Sequence, residues 1–182
     1  MLNTVLGSLS SGVAASTSSY ESIATITANS GTTATFTSIP AGYASLQIRY
    51  YAARDGGSGN LNMRFNSDTG SNYADHYLYG TGAVAQAGAD TSQTRINYVG
   101  PVKDSAYDYK GVGIIDILDY ANTSKYKTTR HFSGVDINAS GGQVWLSSGL
   151  WMSTSAITSI TFDLLGDTFG TSTFALYGIK GA

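Results

Sequence analysis

The sequence predicts an all-β protein, an antiparallel β-sandwich of jelly-roll type with an extended N-terminal arm. Three observations lead there. Apolar and polar residues alternate along short runs, as in Leu46-Gln47-Ile48-Arg49-Tyr50-Tyr51 and Leu61-Asn62-Met63-Arg64-Phe65, and a period of two marks a half-buried strand. Charged residues make up only 12% of the chain, alongside 22 Gly and 13 Tyr, so helix formers such as Glu and Lys give way to β-branched and aromatic residues. About ten or eleven such runs are separated by Gly, Asn, Asp and Ser, a count and spacing that suit a sandwich or jelly roll.

The runs are organised around residues 114–130, which read as two strands joined by a polar turn. Ile115 and Ile117 project to one side and Ile114 and Leu118 to the other, so both faces are expected to be partly covered. Ala121-Asn122-Thr123 is the expected turn, with Asn122 suited to a left-handed backbone, and residues 126–132 return the chain.

From the start, residues 1–19 form the arm. Leu2, Val5, Leu6 and Leu9 recur at three- and four-residue steps, enough for a short amphipathic helical turn or two; residues 10–19 read as a tether. Those apolar side chains need a surface, so the arm is expected to order on docking to a partner. Residues 20–182 form the sandwich domain. Residues 20–27 and 32–39 read as a hairpin around Asn29-Ser30-Gly31. The alternating strands at 46–51 and 61–65 follow, then a polar turn over 66–72 and a Tyr-rich strand over 73–79. Residues 80–91 are Gly- and Ala-rich without periodicity and read as a long loop, a place for function or an interface. A strand at 92–99, a loop at 100–106 and the long central strand at 109–120 come next. Past the return strand, Val144, Leu146 and Leu150 share one face and Trp145 and Trp151 the other. Ile160, Phe162 and Leu164 alternate, and Phe174, Leu176 and Ile179 close the domain.

The totals exclude several classes of function. The absence of Cys removes a disulfide framework and thiolate metal sites. Ten basic residues against twelve acidic ones, with no basic run, argue against a nucleic-acid partner. No apolar stretch reaches 18 residues, so no membrane span is expected, and the first nineteen residues lack the basic start of a signal peptide. A polar but weakly charged surface suits burial against neighbouring subunits.

Candidate chemistry is sparse. Asp116 sits between Ile114 and Leu118 on one strand face and needs a partner there; Arg130 or His131 from the return strand can supply it, which makes it a structural carboxylate. His76 and His131, with Asp75 and Asp136, have no metal-site spacing. No GxSxG elbow or GxxxxGK loop occurs. Residues 66–70 carry oxygen ligands without the downstream Glu of a calcium loop, and read as an Asx turn. No catalytic residue, cofactor or metal is therefore expected. Tyr50, Tyr51, Tyr73, Tyr77 and Tyr79 are expected to offer aromatic surface, with Tyr73, Tyr77 and Tyr79 the candidates for an interface or a glycan surface.

Several segments resemble a group of small structural proteins from tailed bacteriophages. They are Tyr20-Glu21-Ser22-Ile23-Ala24-Thr25, Leu46-Gln47-Ile48-Arg49 after Ile39-Pro40, Arg64-Phe65-Asn66-Ser67-Asp68 with Gly70-Ser71-Asn72-Tyr73, Ile115-Asp116-Ile117-Leu118-Asp119-Tyr120-Ala121-Asn122-Thr123, Ser148-Gly149-Leu150-Trp151-Met152 and Phe174-Ala175-Leu176-Tyr177-Gly178-Ile179-Lys180-Gly181. The resemblance covers about residues 20–181 and implies a non-enzymatic virion protein. The expectation is a capsid decoration or cement protein that binds the major capsid protein through Leu2, Val5, Leu6 and Leu9. The alternative is a tail-fibre or receptor-binding protein that recognises a host surface glycan. Analogy with jelly-roll virion proteins implies a homo-oligomer, a trimer by the same analogy.

Overall fold

The computed structural model describes residues 18–107, 109–138 and 141–181. The arm anchors Leu2, Val5, Leu6 and Leu9 lie outside the described residues. The protein is all-β. Its strands are β1 (Tyr20–Ala28), β2 (Thr33–Phe36), β3 (Ser45–Arg54), β4 (Ser58–Phe65), β5 (Tyr73–Gly80), β6 (Ala85–Gln93), β7 (Ile96–Asp104), β8 (Gly111–Leu118), β9 (Lys127–Val135), β10 (Gln143–Trp151), β11 (Ile160–Asp163) and β12 (Ser172–Ile179). Among the described residues the helical content is one short turn, Ser105–Tyr107.

All twelve strands join one hydrogen-bonded sheet, which branches at β3. One arm runs β1-β12-β3-β8-β9-β10-β5-β6; the other runs β2-β11-β4-β7. Every pairing is antiparallel but one: Ala53 and Arg54 at the end of β3 lie parallel to Lys103 and Asp104 of β7. The sheet is therefore mixed, which corrects the purely antiparallel expectation. The branch is visible in side-chain direction. Ala52 and Ala53 are both buried, breaking the alternation where the strand leaves its first neighbours. There the Ser172 hydroxyl accepts the Ala53 N–H at 3.0 Å and donates to the Gly170 carbonyl at 2.8 Å, so the bend leaves these backbone groups paired.

Strand β7 packs across β8, β9, β10 and β5, and the apolar core is drawn from both arms of the sheet. Phe162 of β11 stacks on Phe174 of β12 at 4.7 Å between ring centroids. Leu46, Ile48, Leu61, Met63, Phe65, Ile115 and Ile117 are fully buried, as their alternation predicts.

The hairpin expected from residues 20–39 does not form. β1 pairs with β12 and β2 with β11, since both find longer-range partners than each other. Of the loop expected over residues 80–91 only 81–84 form a turn, closed by the Thr81 N–H on the Val84 carbonyl; Ala85–Gln93 is a strand, paired with β5. Residues 100–104 continue β7 through Pro101. In the turn after β8 the left-handed residue is Asp119, at φ 52°, and not Asn122. Asn122 donates its N–H to the Asp119 carbonyl and caps Ser124 through its side chain. Lastly, the outer face of β8 is uncovered: Ile114 and Leu118 are exposed while Ile115 and Ile117 are buried.

Candidate functional site

Two surfaces stand out. The first is the outward face of β8, β9, β10 and β5. Cross-strand register sets Ile114, Phe132, Leu146 and Leu78 in one row across four strands. A second row holds Val112, Gly134 and Val144. All six large side chains are 41–60% exposed. Scattered exposed apolar residues are ordinary, but a contiguous array rimmed by polar groups marks a contact surface. Gly134 sits between Val112 and Val144 and leaves a hollow of about 380 Å³ walled by Ile114, Phe132 and those two valines. The rim is the adjacent row Gln47, Asp116, Arg130, Ser148 and His76.

Asp116 sits in that rim. Its carboxylate accepts a 3.0 Å hydrogen bond from Gln47 Nε2 and another of 3.0 Å from Arg130 Nη2. The expected structural pairing is with Arg130, its direct cross-strand partner; His131, one residue on, points to the opposite face.

The second surface is a cleft of about 330 Å³ where β5 and β10 meet the start of β4 and the end of β7. Four rings from three strands gather there. Tyr79 stacks on Trp145 at 4.4 Å with planes 8° apart, and Tyr98 lies on Trp145 at 5.9 Å and 17°. Tyr77 packs against Tyr98 at 4.2 Å. The Trp145 indole N–H donates to Gln143 Oε1 at 2.9 Å. Asn60, Lys103 and Gln143 supply polar groups to the wall. Burial, with the Asp90 carboxylate as a second cause, pushes the Tyr98 hydroxyl up to about 12, so it is a neutral donor. Gly88 of β6 makes room for this cluster, because a Cβ there would stand 2.5 Å from the Tyr77 hydroxyl.

Of the three tyrosines predicted as surface, the structure thus brings Tyr77 and Tyr79 together. It places Tyr73 elsewhere. Tyr73 is fully buried, stacks on Trp151 at 6.3 Å and accepts the Phe65 N–H at 3.0 Å through its hydroxyl. Its role is in the core, which corrects the surface assignment. Tyr50 is also buried, while Tyr51 is exposed. Sequence reasoning missed Tyr98 and Trp145 as members of the cleft; the signal available was the Trp145–Tyr79 register, which requires the β5–β10 pairing to be known.

The two histidines fall on opposite faces, His76 outward and His131 inward, and no metal-binding group of His, Asp and Glu occurs among the described residues. The polar turn over 66–72 is an Asx turn: Asp68 Oδ1 accepts the Gly70 N–H at 2.8 Å and Oδ2 accepts Asn72 Nδ2 at 3.0 Å. His131 touches Ser147, but the geometry opposes nucleophilic chemistry. Ser147 Oγ donates to the Tyr98 carbonyl at 2.7 Å, so at 3.1 Å it receives the proton of His131 Nδ1. His131 Nε2 then accepts from Thr129 Oγ1 at 2.7 Å. A base that gives its proton to the hydroxyl cannot activate it. Both residues are buried beneath β7, and burial drives the imidazole down to about 4. Two hydroxyls of this inward row serve the β7 backbone, Ser147 on the Tyr98 carbonyl and Ser133 on the Val99 carbonyl, while Thr129 accepts the Gly149 N–H of β10 at 3.1 Å.

Comparison with protein-family models, with curated proteins and with solved structures finds no match to this chain. Function rests on the two surfaces.

Proposed function

We propose that this protein is a non-enzymatic structural protein of a bacteriophage virion, a capsid decoration or cement protein that works as a homo-oligomer. The observation that carries the reading is the outward apolar face of β8, β9, β10 and β5. In water that face is a standing cost at roughly 25 cal/mol per Å² of apolar surface, and covering it is a driving force for assembly. A second copy is its occupant. The Gly134 hollow lies beside Phe132, so one protomer offers both a projecting ring and a socket, as a self-complementary contact requires.

The strand order supports a jelly-roll sandwich. The set β1-β12-β3-β8 and the set β2-β11-β4-β7 follow the two four-stranded halves of that fold. The hairpins β5–β6 and β9–β10 are insertions that widen the first half, and the apolar face lies largely on them. The resemblance of residues 20–181 to tailed-phage structural proteins points the same way. In this reading Leu2, Val5, Leu6 and Leu9 anchor the arm on the major capsid protein, while the sheet face joins copies to one another and so links capsid units mechanically.

Immunogold labelling of intact particles with antibody to this protein tests the assignment. Label spread over the head is the expected result. Label confined to the tail replaces decoration by an attachment role, and particles without label overturn the virion reading.

A further inference from the structure

We propose that the aromatic cleft between β5, β10 and the β4–β7 edge is a carbohydrate-binding site for one or two pyranose units, one of them bearing a carboxylate. The inference is independent of where on a particle the protein sits.

The chemistry of the lining leads there. Tyr77, Tyr79 and Tyr98 are half-buried and Trp145 lies beneath them, so the site presents ring edges and faces held rigid by mutual stacking. A preformed aromatic wall costs little ordering on binding. Such rings suit the C–H face of a pyranose, which is apolar, while the sugar's rim of hydroxyls needs polar partners. The cleft has them. Gln143 gives its carbonyl end to Trp145, and its amide nitrogen is the end not used in that bond. Asn60 lines the same wall. A purely apolar ligand would strip these groups of water without replacing it.

Size and charge narrow the class. A volume of about 330 Å³ stands at the lower end of the range for small-molecule sites, enough for one or two sugar rings and too small for a long chain to be buried. Among the described residues Lys103 is the only charged side chain in the lining and makes no ion pair. One unpaired ammonium suits one carboxylate. A single-stranded nucleic acid would also stack on the rings, but it needs a cationic groove along its phosphates, and the chain carries a net charge of −2.

A glycan array carrying neutral and uronate-bearing oligosaccharides in matched pairs tests the proposal on the full chain. The expected result is retention of uronate-bearing members over their neutral counterparts. Titration of the best pair in solution then compares the native protein with two variants. Tyr79→Ala is expected to weaken binding of both sugars at least tenfold. Lys103→Gln is expected to reduce the uronate to the affinity of its neutral partner, leaving the neutral sugar unchanged. Unaltered thermal midpoints establish that each variant is folded. No retained glycan, equal retention of both members of each pair, or binding indifferent to Tyr79→Ala would each overturn the assignment.

Discussion

The indole Nε1 of Trp151 donates a 2.7 Å hydrogen bond to Asp68 Oδ2. One carboxylate thereby ties the end of β10 to the turn that follows β4, and it also holds Asn72 and the Gly70 N–H. The Trp151 donor, with Asn72 and Gly70 adding to it, holds the Asp68 carboxyl below its ordinary 3.8. Asp68→Ala removes the acceptor and leaves a buried indole N–H unpaired, at a cost of about 1–3 kcal/mol. Urea denaturation at pH 7 measures it. Because the folded carboxyl is the stronger acid, its contribution is complete above pH 4 and fades as pH falls further. The difference between native protein and variant should shrink on acidification.

Two buried groups oppose each other in pH. Asp75 is buried with Oδ1 unpaired and Oδ2 accepting the Asn97 N–H, and burial raises its carboxyl to about 6 from 3.8. The folded state holds that proton more tightly, so the associated stability is present at low pH and lost as pH rises from 3.8 to 6. His131, lowered to about 4 from 6.5, does the reverse: its contribution is lost as pH falls from 6.5 to 4. The native protein should show a nearly flat profile across this window. Asp75→Asn removes one slope, and its stability should climb by on the order of 3 kcal/mol as pH rises from about 4 to 6.5. A variant as flat as the native protein would contradict this pairing of slopes.

The outward face predicts an assembly defect without a folding defect. Phe132→Asp together with Leu146→Asp places two charges in the centre of the apolar rows. Light scattering is expected to show the native protein as an oligomer and the double variant as a monomer. Its thermal midpoint should stay within a few degrees, since both side chains are more than half exposed. A native protein that is monomeric at high concentration would remove the copy-to-copy contact.

Gly111 supplies a sharper structural test. A Cβ there would stand 1.9 Å from the Pro101 carbonyl oxygen, and backbone cannot swing aside as a side chain can. Gly111→Ala should cost about 3 kcal/mol or more or yield insoluble protein. Gly42→Ala, where nothing lies within 4 Å, is the control and should be close to neutral.

The strands that lie half in the core were legible from alternation: Leu46, Ile48 and Tyr50 inward against Arg49 and Tyr51, or Trp145 and Trp151 against Val144 and Leu146. β6 was not, because it is an edge strand whose Ala, Gly, Thr and Ser side chains bury little on either face. The end of β7 was hidden by Gly100 and Pro101, which read as breakers. Gly100 is there for space, since a Cβ would meet the Tyr50 hydroxyl at 2.3 Å. For Asp116 the sequence left Arg130 and His131 both open as partners; the observed hairpin register, which sets Asp116 opposite Arg130, decides between them. Tyr73 and Tyr77 could not be told apart, as chemically identical residues whose burial depends on a strand 20 or more residues distant. The polar inward row of β9 and β10 was equally invisible, because its partners are backbone carbonyls of β7, for Ser147 and Ser133, and one another's side chains, for His131, Thr129 and Ser147.

The pairing of β1 with β12 and of β2 with β11 sets a schedule for synthesis. Of the described strands, the first two to be synthesised hydrogen-bond to the last two, so local hairpins such as β5–β6 and β8–β9–β10 can form early while β1 and β2 wait. Until β11 and β12 emerge, β1 and β2 are edges without a ladder, open to pairing with another nascent chain. Contacts this distant along the chain also imply slow closure. A chaperone that shields β1 and β2 during translation would act where this topology is most exposed.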